Sequence, residues 1–412
     1  MAFLDVTKAY DKAWLDGIMY AMHNNGLQGP LWNITRKMDM NLKAQIKTKD
    51  GMTRQIKIKD SIRQGGVLSV LKYASVMDDC AKEITKLNKG ILIPGTNNKI
   101  GCLLWMDDVL LLADTQQELQ EMLDITKKVA DKYHIVFGEE KSKVMIIGKS
   151  NPKDPPTKLG DMTLKITDNY KYLGEIINNR KSTKNQMDEA RRKAEGALQT
   201  ILLVAGDPTL KGIQMGIIWK LVETCITPII TYASETWENN KEENKRANRI
   251  LDGILKRILM VPTSTPREAL HIETGLTDIV HTAKQKRCTM ICRLERTKNE
   301  MINTALNIDV QKSWKNTTKS LMETLKLPEN TLQRKKADQK RLIKNATTKN
   351  MKQNIEEEGK EKSKIKFLLD GIEKWEPGHQ PMYMNKLNRH EVSTMFKART
   401  RMIDVKNNFR GK

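Results

Sequence analysis

Two adjacent carboxylates, Asp107 and Asp108, interrupt the run Ile100-Gly101-Cys102-Leu103-Leu104-Trp105-Met106-Asp107-Asp108-Val109-Leu110-Leu111-Leu112-Ala113, whose other members are apolar or small. Holding two negative charges among such neighbours is costly unless something positive offsets them. The usual partner is a divalent cation with oxygen ligands; the alternative is an ordinary solvated turn, since aspartate favours turns. A third carboxylate, Asp5, ends the apolar run Met1-Ala2-Phe3-Leu4. Three carboxylates gathered at one sheet edge can hold two Mg²⁺ ions about 3.5–4 Å apart, one lowering the pKa of an attacking hydroxyl and the other neutralising phosphates and the leaving group; Mn²⁺ is an alternative ion. That is the chemistry of in-line phosphoryl transfer, which needs little beyond positioning.

Strands and helices must supply that positioning. The runs flanking Asp107-Asp108 read as hairpin strands with the acids at the tip, and residues 1–5 as a buried strand ending at Asp5. Trp14, Ile18, Met22 and Leu27 predict a helix ending near Gly26. Ile46 and Thr48 before Asp50-Gly51, with Ile56 and Ile58 after it, predict a β-hairpin over 42–59. Arg63-Gln64-Gly65-Gly66 leads into apolar residues at helical intervals from Val67 to Leu87. Leu119, Met122, Leu123, Val129, Ala130 and Tyr133 mark one face of an amphipathic helix. Short strands follow at 135–137, 144–147, 164–166 and 170–177, and Pro152, Pro155 and Pro156 place a boundary in the loop over 148–160. Beyond residue 180 the pattern is helical. From Lys312 it becomes polar and Lys-rich, including Arg334-Lys335-Lys336 and Lys340-Arg341, and much of Gln333 to Glu361 is expected to be a solvated helix or a flexible arm, with phosphate contact or nuclear targeting as the competing use.

The 412 residues suffice for two or three domains. A net charge of +22 favours a polyanionic partner, nucleic acid before membrane. The five cysteines form no disulfide framework, which points to a reducing compartment. The longest apolar tract, Ile213 to Ile230, is interrupted by Lys220, Glu223 and Pro228, so it reads as buried helix and not as a membrane span.

Five stretches taken in order resemble the palm of a reverse transcriptase of the non-LTR (LINE-type) retrotransposon kind. Phe3-Leu4-Asp5 to Ala9-Tyr10-Asp11 resembles the first carboxylate motif, and Arg63-Gln64-Gly65 to Leu68-Ser69 the template- and nucleotide-contacting motif. Trp105-Met106-Asp107-Asp108 resembles the acidic pair, Phe137 to Lys143 followed by Met145 the next palm motif, and Tyr172-Leu173-Gly174 the hairpin that grips the primer. The resemblance implies an α+β fold: a polymerase palm, an antiparallel sheet with helices packed on one face, over 1–150. Primer-grip strands over 151–180 would follow, then an all-α thumb and connecting region over 181–310. A basic helical or partly flexible region would occupy 311–412.

The resemblance also implies roles. Asp5 and Asp107 would be the principal metal ligands with Asp108 supporting them. Tyr10 would block the 2′-hydroxyl of an incoming ribonucleotide, the local difference a rigid ring can sense; a plain core tyrosine is the other reading. Gln64 would contact the nucleotide, and Gly65 would let backbone approach a base pair. Lys141 would protonate pyrophosphate, unless it is a surface lysine beside Glu139 and Glu140. Met106 would pack under the primer terminus. RNA template, DNA primer and dNTPs are the implied partners, with an intracellular location, nuclear when acting on target DNA.

Departures from the pattern are Val67 and Val70 where relatives often carry proline, and Gly138 where they carry asparagine. No fingers region precedes Met1, no zinc knuckle follows Phe396 to Asn408, and no endonuclease is recognisable. The expectation is therefore a piece of a longer polyprotein or a decayed copy, weak or inactive alone. A catalytically silent nucleic-acid-binding remnant is the competing reading. A group II intron maturase shares the palm, but the Phe-Leu-Asp to Ala-Tyr-Asp form leans away from it.

Overall fold

A computed structural model describes residues 1–40, 42–58, 60–148, 155–206, 213–237, 240–308, 310, 313–372 and 375–402. Pro152, the expected boundaries at 150 and 311, and the stretch from 403 to Asn408 lie outside the described residues. The chain divides into two compact units, Met1–Ser182 and Thr183–Lys412.

Unit 1 is built on a five-stranded sheet. In chain order its strands and helices include β1 (Ala2–Asp5), α1 (Leu15–Asn24), α2 (Gly29–Met40), α3 (Ser69–Lys86), β2 (Cys102–Trp105), β3 (Asp108–Leu111), α4 (Gln116–Lys132), β4 (Lys143–Val144) and β5 (Lys165–Ile166), followed by a separate hairpin of β6 (Asn169–Tyr172) and β7 (Glu175–Asn178). The sheet order is β5-β4-β1-β3-β2. Every pairing is antiparallel except the parallel β4–β5 edge. Residues 165–166, expected among the grip strands, pair instead at the edge of the five-stranded sheet.

Alternation along the strands sorts two faces. Ala2, Leu4, Val109, Leu111 and Val144 turn to one side, where they form a core with Ile18, Met19, Tyr73, Val76, Met77, Met122 and Leu123 from α1, α3 and α4. Burying each of the larger side chains contributes about 1.5–3 kcal/mol. Phe3, Leu110 and Met145 turn to the other side, under Tyr170, Tyr172 and Ile177 of the hairpin. The expected arrangement of helices on one face of the sheet holds.

Local chemistry explains the elements. α4 buries Leu119, Met122, Leu123, Thr126, Val129 and Ala130 on one stripe, and Thr115 caps it by accepting from the Glu118 amide. α3 buries Ser69, Lys72, Tyr73, Val76, Met77, Cys80 and Ile84 at helical spacing. Its Lys72 ammonium donates to both oxygens of Asp39 on α2 at 2.6 and 2.7 Å, a buried pair that ties the two helices together. The expected Asp-Gly hairpin is shifted. Thr48 pairs with Gly51, so Lys49-Asp50 form the tip and Gly51, at φ 125°, follows it. The glycine therefore opens the return strand, at a positive φ that a residue without Cβ adopts readily.

Every regular element among the described residues of unit 2 is helical. α5 (Lys184–Ala205), α6 (Lys241–Leu259), α7 (Ile279–Leu294), α8 (Trp314–Thr324), α9 (Lys336–Lys360) and α10 (Arg389–Arg399) are its longer members. The tract from Ile213 folds as Met215–Leu221, a π-helical turn Val222–Ile226 and Thr227–Ile230, with Met215, Ile218, Trp219, Val222, Ile226 and Ile230 buried. Among the described residues no helix is long and apolar enough to cross a membrane. Within the Lys-rich region most of the stretch from Gln333 to Glu361 forms the continuous helix α9 (Lys336–Lys360), which buries Ile343, Met351 and Ile355 on one stripe. Burial opposes ionisation of Asp278, yet His281 and Arg267 hold its carboxyl far below the ordinary range.

Candidate active site

β1 ends on Asp5 and β3 begins on Asp108, and the two are Cα partners across the antiparallel pair. Directly opposed residues project from the same face. Asp5 and Asp108 therefore share the face of Phe3 and Leu110, the side covered by the β6–β7 hairpin. Trp105 pairs with Asp108, which leaves Met106-Asp107 as a two-residue tip. Met106 sits at φ 57°, a left-handed conformation that non-glycine residues seldom adopt.

The carboxylates crowd one another. Burial first, then the charges of Asp107 and Asp5, hold the Asp108 carboxyl above its ordinary value, with Lys141 opposing them. The Lys141 ammonium lies 3.4 Å from Asp5 Oδ2. It is carried by a loop that closes on Asp5: the Gly138 amide donates to the Asp5 carbonyl at 2.8 Å, and the Asp5 amide donates to Ser142 Oγ at 3.3 Å. A Cβ at Gly138 would stand 3.2 Å from Thr7 Oγ1, a tight approach, and 3.5 Å from Asp5 Oδ2, an ordinary contact.

Tyr10 is half-buried, stacks on Tyr73 with ring centroids 5.6 Å apart, and donates its hydroxyl to the Met106 sulfur at 3.7 Å. Gln64 and Gly65 occupy the centre of a turn closed by the Gly66 amide donating to the Arg63 carbonyl at 3.0 Å. Gly65 takes φ 79°, as position i+2 of a type II turn requires. Both are exposed, and this segment is tied to the site through the Ile62 amide, which donates to the Tyr10 carbonyl at 2.8 Å. Tyr172 pairs with Glu175, so Leu173-Gly174 form the tip of the second hairpin at φ 48° and 84°. Two positive φ values make a type I′ turn.

Residues that sequence reasoning did not single out complete the surroundings. Tyr170 stacks on Phe3 at 4.1 Å, and burial followed by Asp5 and Asp108 pushes its phenol up to about 12. Tyr172, which the resemblance already assigned to the primer-gripping hairpin, is raised too, by burial and then by Asp108. The i, i+2 spacing of these tyrosines, which puts both on one strand face, was the available signal. Tyr73 looked like any buried helix position. Ser142 carried no signal at all.

The donor set of three carboxylates suits a hard divalent cation. As the side chains stand, no group of three or more His, Cys, Asp or Glu residues among the described residues is arranged to hold a metal ion.

The family described as "Reverse transcriptase (RNA-dependent DNA polymerase)" matches residues 1–177. The chain is similar to the "Retrovirus-related Pol polyprotein from type-1 retrotransposable element R2" of Nasonia vitripennis, at 27% identity over 188 residues, 43% of this chain and 18% of that one. It is also similar to the "RNA-directed DNA polymerase from mobile element jockey" of Drosophila funebris, at 25% over 184 residues, 42% of this chain and 19% of that one. Residues 1–177 are a reverse transcriptase domain of the non-LTR retrotransposon kind. The five stretches carrying the resemblance all begin inside this reverse transcriptase domain. The matched part spans less than a fifth of either relative. A transposon-derived protein of Caenorhabditis elegans matches at 25% over 199 residues, 45% of this chain and 68% of that protein. A solved telomerase from Candida Tropicalis, in complex with a telomeric RNA fragment, covers 84% of this chain and 48% of its own at 12% identity. Its TM-score of 0.34 is too low to argue from.

Proposed function

We propose that the reverse transcriptase domain is an RNA-directed DNA polymerase that transfers nucleotidyl groups from dNTPs to a primer 3′-hydroxyl on an RNA template. The observation that carries this reading is the register of β1 and β3, which opposes Asp5 and Asp108 with Asp107 one residue away. Asp5, Asp107 and Asp108 would hold two Mg²⁺ ions, or Mn²⁺ in their place. Bound ions of this kind lower the pKa of the attacking hydroxyl and offset charge on the phosphates.

The chain's own residues do the rest. Lys141, beside Asp5, donates a proton to the departing pyrophosphate. Tyr10 presents its ring where a ribose 2′-hydroxyl would clash, with Tyr73 stacked behind it. Gln64 contacts the nucleotide, Gly65 lets backbone approach the base pair, and Met106 packs under the primer terminus. The tip Tyr172-Leu173-Gly174 grips the primer end near the acids. The charge of +22 attracts the nucleic-acid backbone.

A silent nucleic-acid-binding remnant is the second reading, favoured by the absence of a ready three-ligand arrangement among the described residues. Primer extension on poly(rA)/oligo(dT) with Mg²⁺ separates the two. The first predicts extension that Asp107→Ala with Asp108→Ala abolishes; the second predicts binding without extension.

A further inference from the structure

Tyr73, on the helix side of the sheet, is 3% exposed, and its hydroxyl has no hydrogen-bond partner among the described residues. An unpaired buried hydroxyl costs free energy, and phenylalanine would fill the same space without that cost. Such a group calls for an explanation.

Its surroundings lead to the acidic tip. The Tyr73 ring stacks on Tyr10 at an interplanar angle of 18°, and the Tyr10 hydroxyl donates to the Met106 sulfur at 3.7 Å. Met106, at φ 57°, is the residue before Asp107. Burial first, then Asp107 and Tyr10, hold the Tyr73 phenol above its ordinary value. Tyr170 and Tyr172, from the hairpin side, respond to Asp5 and Asp108 instead. A buried donor without a partner among the described residues thus stands behind Tyr10 and Met106, the contacts that lead to the residue before Asp107.

We infer that Tyr73 is a positioning residue for Asp107: its ring seats Tyr10 and Met106 behind the tip, and its hydroxyl donates to the Asp107 carboxylate when the three acids converge on a cation. A hydrogen bond to the ionised carboxylate favours that form and fixes its orientation. No proton changes owner. The inference rests on the polymerase reading, since it gives Asp107 a cation to hold.

The test uses the full chain, with Mn²⁺ binding followed by electron paramagnetic resonance and stability by heat denaturation. Tyr73→Phe is expected to melt higher than the native chain and yet to bind Mn²⁺ roughly 10–100-fold more weakly, the usual loss when a group orienting a metal ligand is removed. In an Asp107→Asn background, adding Tyr73→Phe should change the affinity no further, because the two act on one interaction. A merely structural tyrosine would not separate stability from cation affinity in this way. Unchanged Mn²⁺ affinity in Tyr73→Phe overturns the inference, as does an equal loss in the Asp107→Asn background or a lowered melting temperature. If the native chain binds Mn²⁺ no better than Asp107→Asn does, the polymerase reading fails and takes this inference with it. Native binding that Tyr73→Phe leaves intact overturns the inference alone.

Discussion

Asp5 and Asp108 face each other across β1 and β3 as Cα partners, and Lys141 reaches Asp5 from a loop on the far side of β1. Two like charges in register across a sheet repel. The sheet tolerates them because Lys141 offsets part of the charge and Phe3, Leu110 and the tyrosine hairpin bury the strands beneath.

That repulsion predicts a stability gain at the expense of function. The folded Asp108 carboxyl is raised by burial, Asp107 and Asp5, so ionising it costs more in the folded chain than in the unfolded one. Stability is fully present below the unfolded carboxylate range and falls as pH rises through the folded value. Asp108→Asn should therefore raise the melting temperature at pH 7, leave it unchanged near pH 3, and abolish primer extension. Equal gains at both pH values would contradict the assignment of the cost to charge.

Tyr10 sets sugar discrimination in this account. Tyr10→Ala should raise ribonucleotide incorporation relative to deoxyribonucleotide by roughly tenfold or more, the scale of a steric pocket difference. Tyr10→Phe should retain discrimination. Competition assays with paired dNTP and rNTP check both, and an unchanged ratio in Tyr10→Ala makes the residue a plain core tyrosine.

Lys141 offers a clean separation of roles. As a proton donor, its replacement by alanine should slow single-nucleotide addition by about 100-fold, the lower end for general acid catalysis, with template–primer affinity unaltered. Weakened affinity with a normal rate would mark a surface lysine that merely contacts phosphate.

The Asp39–Lys72 pair carries a prediction about the scaffold. Removing one partner leaves an uncompensated buried charge, so Asp39→Leu should cost about 3–5 kcal/mol, whereas Asp39→Leu with Lys72→Met should recover most of that loss. Chemical denaturation of the two variants measures it.

Much of this site was legible because its strands are short apolar runs ending in acids, and because the helices of unit 1 show strong apolar periodicity. The partner of Asp5 was not. A slip of one residue exchanges Asp107 for Asp108 and reverses every side chain, and nothing local in Trp105-Met106-Asp107-Asp108 reveals the register. The register is set by Phe3 against Leu110 and Leu4 against Val109, contacts between segments distant in the chain. Gly138 read as a mere departure, whereas its closeness to Thr7 gives it a steric reason. In α9 the lysines masked the sparse buried stripe of Ile343, Met351 and Ile355, so a packed helix read as a solvated one or an arm.

The most direct measurement is Mg²⁺-dependent extension of a DNA primer on an RNA template by the native chain, Asp5→Asn, and the Asp107→Ala, Asp108→Ala double variant, with template–primer binding measured in parallel. The account predicts extension that rises with Mg²⁺ in the native chain and vanishes in both variants while binding persists. Extension that survives either substitution, or tight binding by the native chain with no extension at any Mg²⁺ or Mn²⁺ concentration, would contradict it.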